Sequence, residues 1–231
     1  VTASFTVSLN NPAPPGGVTF DIATANNTAT TANFDYMAKT LVNQTIPAGL
    51  TSYTFDVTVN GDDIIEDNET FFVNVTNVVG SGVADAQGQG TITNDDQATL
   101  TLSGGTSTAE GNSITFTATL NKPVQGGFTV AYNTNNGTAT TGNNDYTAVS
   151  SNLTFTGAAN ETQTFIVNTT PDNIVELDET FTAVLGVITA ATAVQSAAIT
   201  PAGSPQTGTI LNNDGAVVAL AGSVSQAENL T

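Results

Sequence analysis

Polar and apolar residues alternate along most of this chain. In SITFTATL, residues 113–120, Ile114, Phe116, Ala118 and Leu120 fall on one face, with Ser and Thr on the other. That two-residue period predicts a half-buried strand. TSYTFDVTV (51–59) and TQTFIVNTT (162–170) read the same way. The alternating runs are short, and Gly, Pro, Asn and Asp interrupt them. No window carries a convincing 3.6-residue apolar stripe with helix caps. The spacing predicts an all-β chain of antiparallel sandwiches.

Repeats set the domain organisation. FTVSLNNPAPPGGVTF (5–20) matches FTATLNKPVQGGFTV (116–130), and TATTANFDY (28–36) matches TATTGNNDY (138–146). DDIIEDNETF (62–71) matches DNIVELDETF (172–181), and GTITNDD (90–96) matches GTILNND (208–214). The offsets place an insertion in the second copy around 189–205. ATLTLSGGTSTAEG (98–111) precedes the second copy, and AVVALAGSVSQAEN (216–229) follows it and resembles it. The expected division is a sandwich over 1–97 lacking its first strand, a complete sandwich over 98–215, and an orphan first strand over 216–231. Joining the end to the start gives AENLT-VTASFTVSLNNP, close to AEGNSITFTATLNKP. Either the chain is one period of a longer tandem array, or subunits polymerise by donating residues 216–231 to a neighbour.

Composition narrows the chemistry. The 231 residues include no Cys, His or Trp, and Lys39 and Lys122 are the only basic side chains against 20 carboxylates, for a net charge of −18. Disulfides, thiolate chemistry and His-based catalysis are excluded. A surface without basic patches does not bind nucleic acid or anionic lipid. No apolar run is long enough to insert in a membrane. Both lysines read as surface charges. No Ser has a His to activate it, and no aromatic subsite accompanies the carboxylates, so an enzyme is not expected.

Against this sparse background the carboxylates concentrate in the two copies of D-x-I-x-E-x-x-E-T-F. A loop joining neighbouring strands can project them from one end of a sandwich. In 172–179, Asp172, Glu176 and Glu179 would crowd together, with the Ile174 carbonyl between them. Such crowding costs repulsion unless a cation relieves it, and hard divalent cations prefer oxygen ligands.

The AEG after the first strand, the TAT…DY element, D-x-I-x-E-x-x-E-T-F and the closing G-T-I-x-N-D/N-D together resemble the Calx-beta domain. The resemblance covers nearly the whole chain. It implies tandem seven-stranded immunoglobulin-like sandwiches and a Ca2+ cluster at a sandwich end. In the complete domain the matching ligands are Glu110, Asp145, Asp172, Glu176, Glu179 and Asp214. In the first they are Asp35, Asp62, Glu66, Glu69, Asp95 and Asp96, with Asp63 as a further carboxylate. Glu228 would serve a following domain. The closing run departs from the three acids often found in calcium-binding members: it is Asn94-Asp95-Asp96 here and Asn212-Asn213-Asp214 in the second copy.

Tyr36 and Tyr146, after the Asp of each DY, read as packing anchors with a hydrogen-bonding tip. Asn-x-Thr recurs at Asn26, Asn43, Asn68, Asn74, Asn136, Asn152, Asn160, Asn168 and Asn229, acceptors for N-linked glycans if the source glycosylates exported proteins. The expected function is a calcium-binding structural repeat of an extracellular fibre, stalk or adhesin at a cell surface, stiffened by Ca2+ at the domain ends. Its expected partners are neighbouring repeats or subunits of the same protein. The alternative is a calcium-sensing regulatory tandem that reorients on ion binding.

Overall fold

The computed structural model describes residues 1–222 and Ser225. The first unit runs from β1 (Thr2–Ser8), β2 (Val18–Asn26) and β3 (Thr40–Ile46) to β4 (Ser52–Thr58), β5 (Glu69–Val79) and β6 (Gln87–Ile92). The second holds β7 (Ala98–Gly104), β8 (Ser107–Ala109), β9 (Ser113–Leu120), β10 (Phe128–Asn136) and β11 (Ser150–Phe155). It continues through β12 (Thr162–Asn168), β13 (Glu179–Ala190), α1 (Ala193–Ala198), β14 (Ile199–Ala202) and β15 (Gln206–Leu211). In the first unit a β1-β4 pair faces a β3-β2-β5-β6 sheet; in the second, β12-β9-β7-β14 faces β11-β10-β13-β15-β8. The all-β sandwich expectation holds.

The repeats fold alike. β1 pairs with β4 so that Phe5 lies opposite Phe55, and β9 pairs with β12 so that Phe116 lies opposite Phe165. Alternation puts these rings inward. Phe5 meets Phe71 edge-on at 5.7 Å, and Phe116 meets Phe181 edge-on at 6.2 Å. Burying such rings is the main favourable term holding each sandwich closed.

Two details go beyond seven strands. The first strand of the second unit is split. β7 pairs antiparallel with β9, while β8 crosses to the other sheet and runs parallel to β15. Gly104 (φ 105°) and Gly105 (φ 76°) make the crossing, at angles that side chains rarely tolerate. The insertion at 189–205 forms α1 and then β14, which runs parallel to β7. This six-residue helix is a local addition to an all-β chain. Thr192 caps it, accepting a bond from the Gln195 N–H at 3.3 Å. Six residues are too few to show a stripe.

The join between the units is packed rather than loose. Ile65, from the β4–β5 loop of the first unit, is fully buried in the core cluster of the second, with Leu120, Val124 and Phe155. Its N–H donates to Pro123 O at 3.0 Å, and its carbonyl accepts from Gln125 N–H at 2.9 Å. Lys122, the expected surface charge, is partly exposed and reaches back across the join to Asp63 at 2.6 Å and Asp96 at 3.4 Å. Thr192 Oγ1 donates to Asp67 Oδ1 at 2.7 Å, and Gln125 Nε2 donates to Glu66 Oε1 at 3.0 Å.

Candidate metal centre

The carboxylates gather where three connections meet at one end of each sandwich. The TAT…DY element lies between β2 and β3, and between β10 and β11. Within it the Thr30 N–H donates to Asp35 Oδ2 at 2.6 Å, and the Thr140 N–H does the same to Asp145 Oδ2 at 2.6 Å. The backbone thereby holds a buried carboxylate in place. The following tyrosine anchors the turn from below, as expected. Tyr36 stacks on Phe71 at 4.6 Å and donates to Asn26 Oδ1 at 2.6 Å. Tyr146 stacks on Phe181 at 4.6 Å and donates to Asn136 Oδ1 at 2.7 Å.

In the second unit all six expected residues enter two adjoining groups. Glu110, Asp172 and Asp214 bring carboxylate oxygens within 4.8 Å of one another, and Asp145, Glu176 and Glu179 do the same. One space is lined by Glu110, Asp145, Asp172, Glu176 and Glu179. The turn after β8 delivers Glu110, the β12–β13 loop delivers Asp172 and Glu176, and the start of β13 delivers Glu179.

In the first unit one such group forms, from Asp35, Glu66 and Glu69. Asp62, Asp63, Asp95 and Asp96 do not join it. Asp62 folds back to accept the Ile64 N–H at 2.8 Å, as Asp172 accepts that of Ile174 at 2.7 Å. Asp63 and Asp96 are taken by Lys122, and Asp95 is exposed. Within residues 1–97 no residue aligns with Glu110. Glu228 lies outside the described residues.

Repulsion and burial show in the proton affinities. Burial first, then the charge and hydrogen bond of Asp35, raise Glu69 to about 7. Burial first, then a hydrogen bond and charge from Asp145, raise Glu179 to about 7. Glu66 is raised by burial and then by Asp62, Asp35 and Asp96. Glu110 is raised chiefly by burial, with Asp172, Asp214 and Glu176 adding to it. Glu110 Oε2 and Asp214 Oδ2 are buried with no hydrogen-bond partner. Buried acceptors are rarely left unsatisfied, and a donor set made only of carboxylates suits a hard divalent cation. These residues fit such an ion.

Several participants were not read from sequence. Asn94 and Asn212, which stand where a third acid was looked for, are latches. Asn94 Oδ1 accepts the Glu66 N–H at 3.2 Å, and Asn212 Oδ1 accepts the Glu176 N–H at 3.2 Å. Asn68 Oδ1 and Asp178 Oδ1 return the bond, accepting the N–H of Asn94 at 2.9 Å and of Asn212 at 3.1 Å. The end of each last strand thus fixes the acidic loop. The invariance of Asn between the two copies was the available signal. Nothing in the sequence pointed to Asp67, which adds negative charge beside Glu69.

Among the solved structures similar to this chain is CBD12 from CALX1.2, at 17% identity, covering 92% of this chain and 93% of that one with a TM-score of 0.40. The calcium binding domain CBD12 of CALX1.1 is similar at 16% identity, covering 91% and 93% with a TM-score of 0.41. The apo-form Calx CBD1 domain covers 50% of this chain and 98% of its own at 21% identity, with a TM-score of 0.41. No curated protein matches. The family model of the Calx-beta domain matches residues 1–105 and again 93–214. The chain belongs to the Calx-beta family, whose domain it carries twice in tandem.

Proposed function

We propose that this chain is a calcium-binding structural repeat of an extracellular surface fibre, stalk or adhesin, with Ca2+ at each sandwich end locking the acidic loops. One observation carries the reading. The loop that supplies Glu66 and Glu69 to the acidic group also buries Ile65 in the next unit. A cation there would tie the two sides of the loop together and stiffen the join. Its ligands would be Asp35, Glu66 and Glu69 in the first unit, and Glu110, Asp145, Asp172, Glu176, Glu179 and Asp214 in the second. The ion would neutralise these charges. The protein's part is to hold Asp35, Asp145 and Asp172 on backbone amides at the sandwich end. Sparse Lys and absent Cys suit a chain outside the cell.

The sensor alternative requires the units to reorient. That would pull Ile65 out of an apolar core, which opposes it. Small-angle scattering and thermal melting, each with calcium and with chelator, separate the two. The structural reading expects a higher melting temperature with calcium, little change in radius of gyration, and saturation at about 10⁻⁴–10⁻³ M, as for extracellular modules. A large change in shape at micromolar calcium would establish the sensor instead.

A further inference from the structure

Two Asn-Gly pairs stand in this chain, Asn60-Gly61 and Asn136-Gly137. Such a pair readily loses its side-chain amide, because glycine has no Cβ to keep its nitrogen away from the neighbouring carboxamide. The fold treats the two pairs differently. Asn136 is the last residue of β10, paired opposite Phe181. Its Oδ1 accepts the Tyr146 hydroxyl at 2.7 Å and the Thr141 N–H at 3.3 Å. The Gly137 N–H donates to Ala139 O at 3.1 Å, and a Cβ there would lie 2.4 Å from Thr180 O. Neither the carboxamide nor the nitrogen is free to turn toward the other.

Asn60 and Gly61 lie past β4, at the start of the acidic loop, and both are exposed. Among the described residues the Asn60 carboxamide makes one hydrogen bond, from Nδ2 to Phe34 O, and the Gly61 N–H makes none. This openness belongs to the position. Its second-unit counterpart is Thr170-Pro171, where Gly111 lies close beside the proline, and Pro171 is exposed all the same. Pro171 has no N–H, so that pair is inert.

The one bond of the Asn60 side chain has a structural purpose. Phe34 sits at φ 68°, in the left-handed region that a bulky residue rarely adopts. Its second-unit counterpart is Asn144 at φ 69°, a residue type that tolerates the angle. In the first unit the Asn60 amide ties the Phe34 carbonyl, and the Asn60 N–H donates to the Asp35 carbonyl at 3.0 Å. Asn60 thus pins two consecutive residues of the turn that carries Asp35 into the acidic group. Thr170 repeats the backbone bond, to Asp145 O at 2.9 Å.

We propose that Asn60 is a deamidation site whose conversion loosens the turn that positions Asp35. The Gly61 nitrogen bonds to Asn60 Cγ, the Cγ–Nδ2 bond breaks, and Nδ2 leaves as ammonia with the proton of the Gly61 amide. Water then opens the five-membered imide. Opening at Cγ leaves aspartate at this position. Opening at the main-chain carbonyl leaves isoaspartate, with a methylene added to the backbone. Either product carries a carboxylate, which has no N–H to give Phe34 O. The second unit, with Thr170-Pro171, keeps its turn. The effect on the metal centre rests on the calcium reading above; the modification does not.

The native chain, aged in mildly alkaline buffer with chelator and digested by pepsin in acid, reports each asparagine separately. Tandem mass spectrometry reads conversion as the exchange of an NH2 for an OH. Asn60 should convert at least about tenfold faster than Asn136, a barrier difference of about 1.4 kcal/mol. Gly61→Pro copies the second unit and should abolish conversion at position 60. Equal rates at the two pairs, no conversion at either, or undiminished conversion in Gly61→Pro overturns the site. Asn60→Asp supplies one product directly. In chelator it should melt below the native chain, and it should bind calcium more weakly at the first unit, whereas Gly61→Pro should bind as the native chain does. An Asn60→Asp chain that melts as the native one overturns the clamp. A fresh native chain that gives no calcium heat sinks the metal reading alone, because the mass and melting results do not depend on it.

Discussion

Ile65 and Val175 occupy the same place in two copies of one loop, yet Ile65 is 0% exposed inside the second unit's core while Val175 is 53% exposed. The same motif is a buried wedge in the first copy and an exposed tip in the second.

Truncation should separate the two. Ile65→Ala empties a filled core position, and such losses cost about 2–5 kcal/mol. Val175→Ala removes nothing packed and should fall within about 0.5 kcal/mol of the native chain. Urea unfolding of both variants measures the difference. Equal effects would mean that the wedge does not hold the junction.

The first acidic group should depend on two glutamates. Glu66→Gln with Glu69→Gln keeps size and removes two charges from the Asp35 group, so calcium bound per chain should fall while circular dichroism still shows a folded β protein. Since burial and repulsion raise both groups, the chelated variant should melt at or above the native temperature. Undiminished calcium stoichiometry would refute the assignment.

Protons should compete with calcium in a defined window. Glu69 and Glu179 lie at about 7 in the fold, against an ordinary 4.5. Between those values the folded, metal-free chain binds protons that the unfolded chain does not. Its stability should therefore fall as pH rises through that window and level off above about 7. Calcium needs the ionised forms, so its affinity should rise over the same range. Melting in chelator and calcium titration at pH 6 and about 8 test both signs. A Glu69→Gln, Glu179→Gln variant should flatten both trends.

The glycine of G-T-I has a steric role. A Cβ on Gly208 would lie 2.6 Å from the Phe181 ring, and one on Gly90 would lie 2.7 Å from Phe71. Gly208→Ala should cost about 1–3 kcal/mol by overpacking. Gly215→Ala, with nothing within 4 Å, should cost little from packing. Thermal melts of the pair decide it.

Much of the fold could be read in advance because strand period and repeat spacing are local signals. The DY and D-x-I-x-E-x-x-E-T-F elements carry Asp35, Asp145, Glu66, Glu69, Glu176 and Glu179, and the structure brings these six into acidic groups, since each sits at a fixed place beside a strand. What stayed hidden depended on contacts between units. The ion pairs of Lys122 stayed hidden because the carboxylates it meets lie far away in sequence. Asp63 and Asp96, expected among the ligands, stand against the Lys122 ammonium, a contact that spacing alone does not reveal. The helix at 193–198 was too short to show a period, and the latch role of Asn94 and Asn212 needed the loop they hold.

The central claim, that these carboxylates gather to hold calcium, is tested most directly by calorimetric titration of calcium into the chelator-stripped native chain. The account predicts saturable binding of more than one ion per chain, with part of the heat lost in the Glu66→Gln, Glu69→Gln variant. A titration that gives no heat above dilution, with a melting temperature unmoved by calcium, would contradict it.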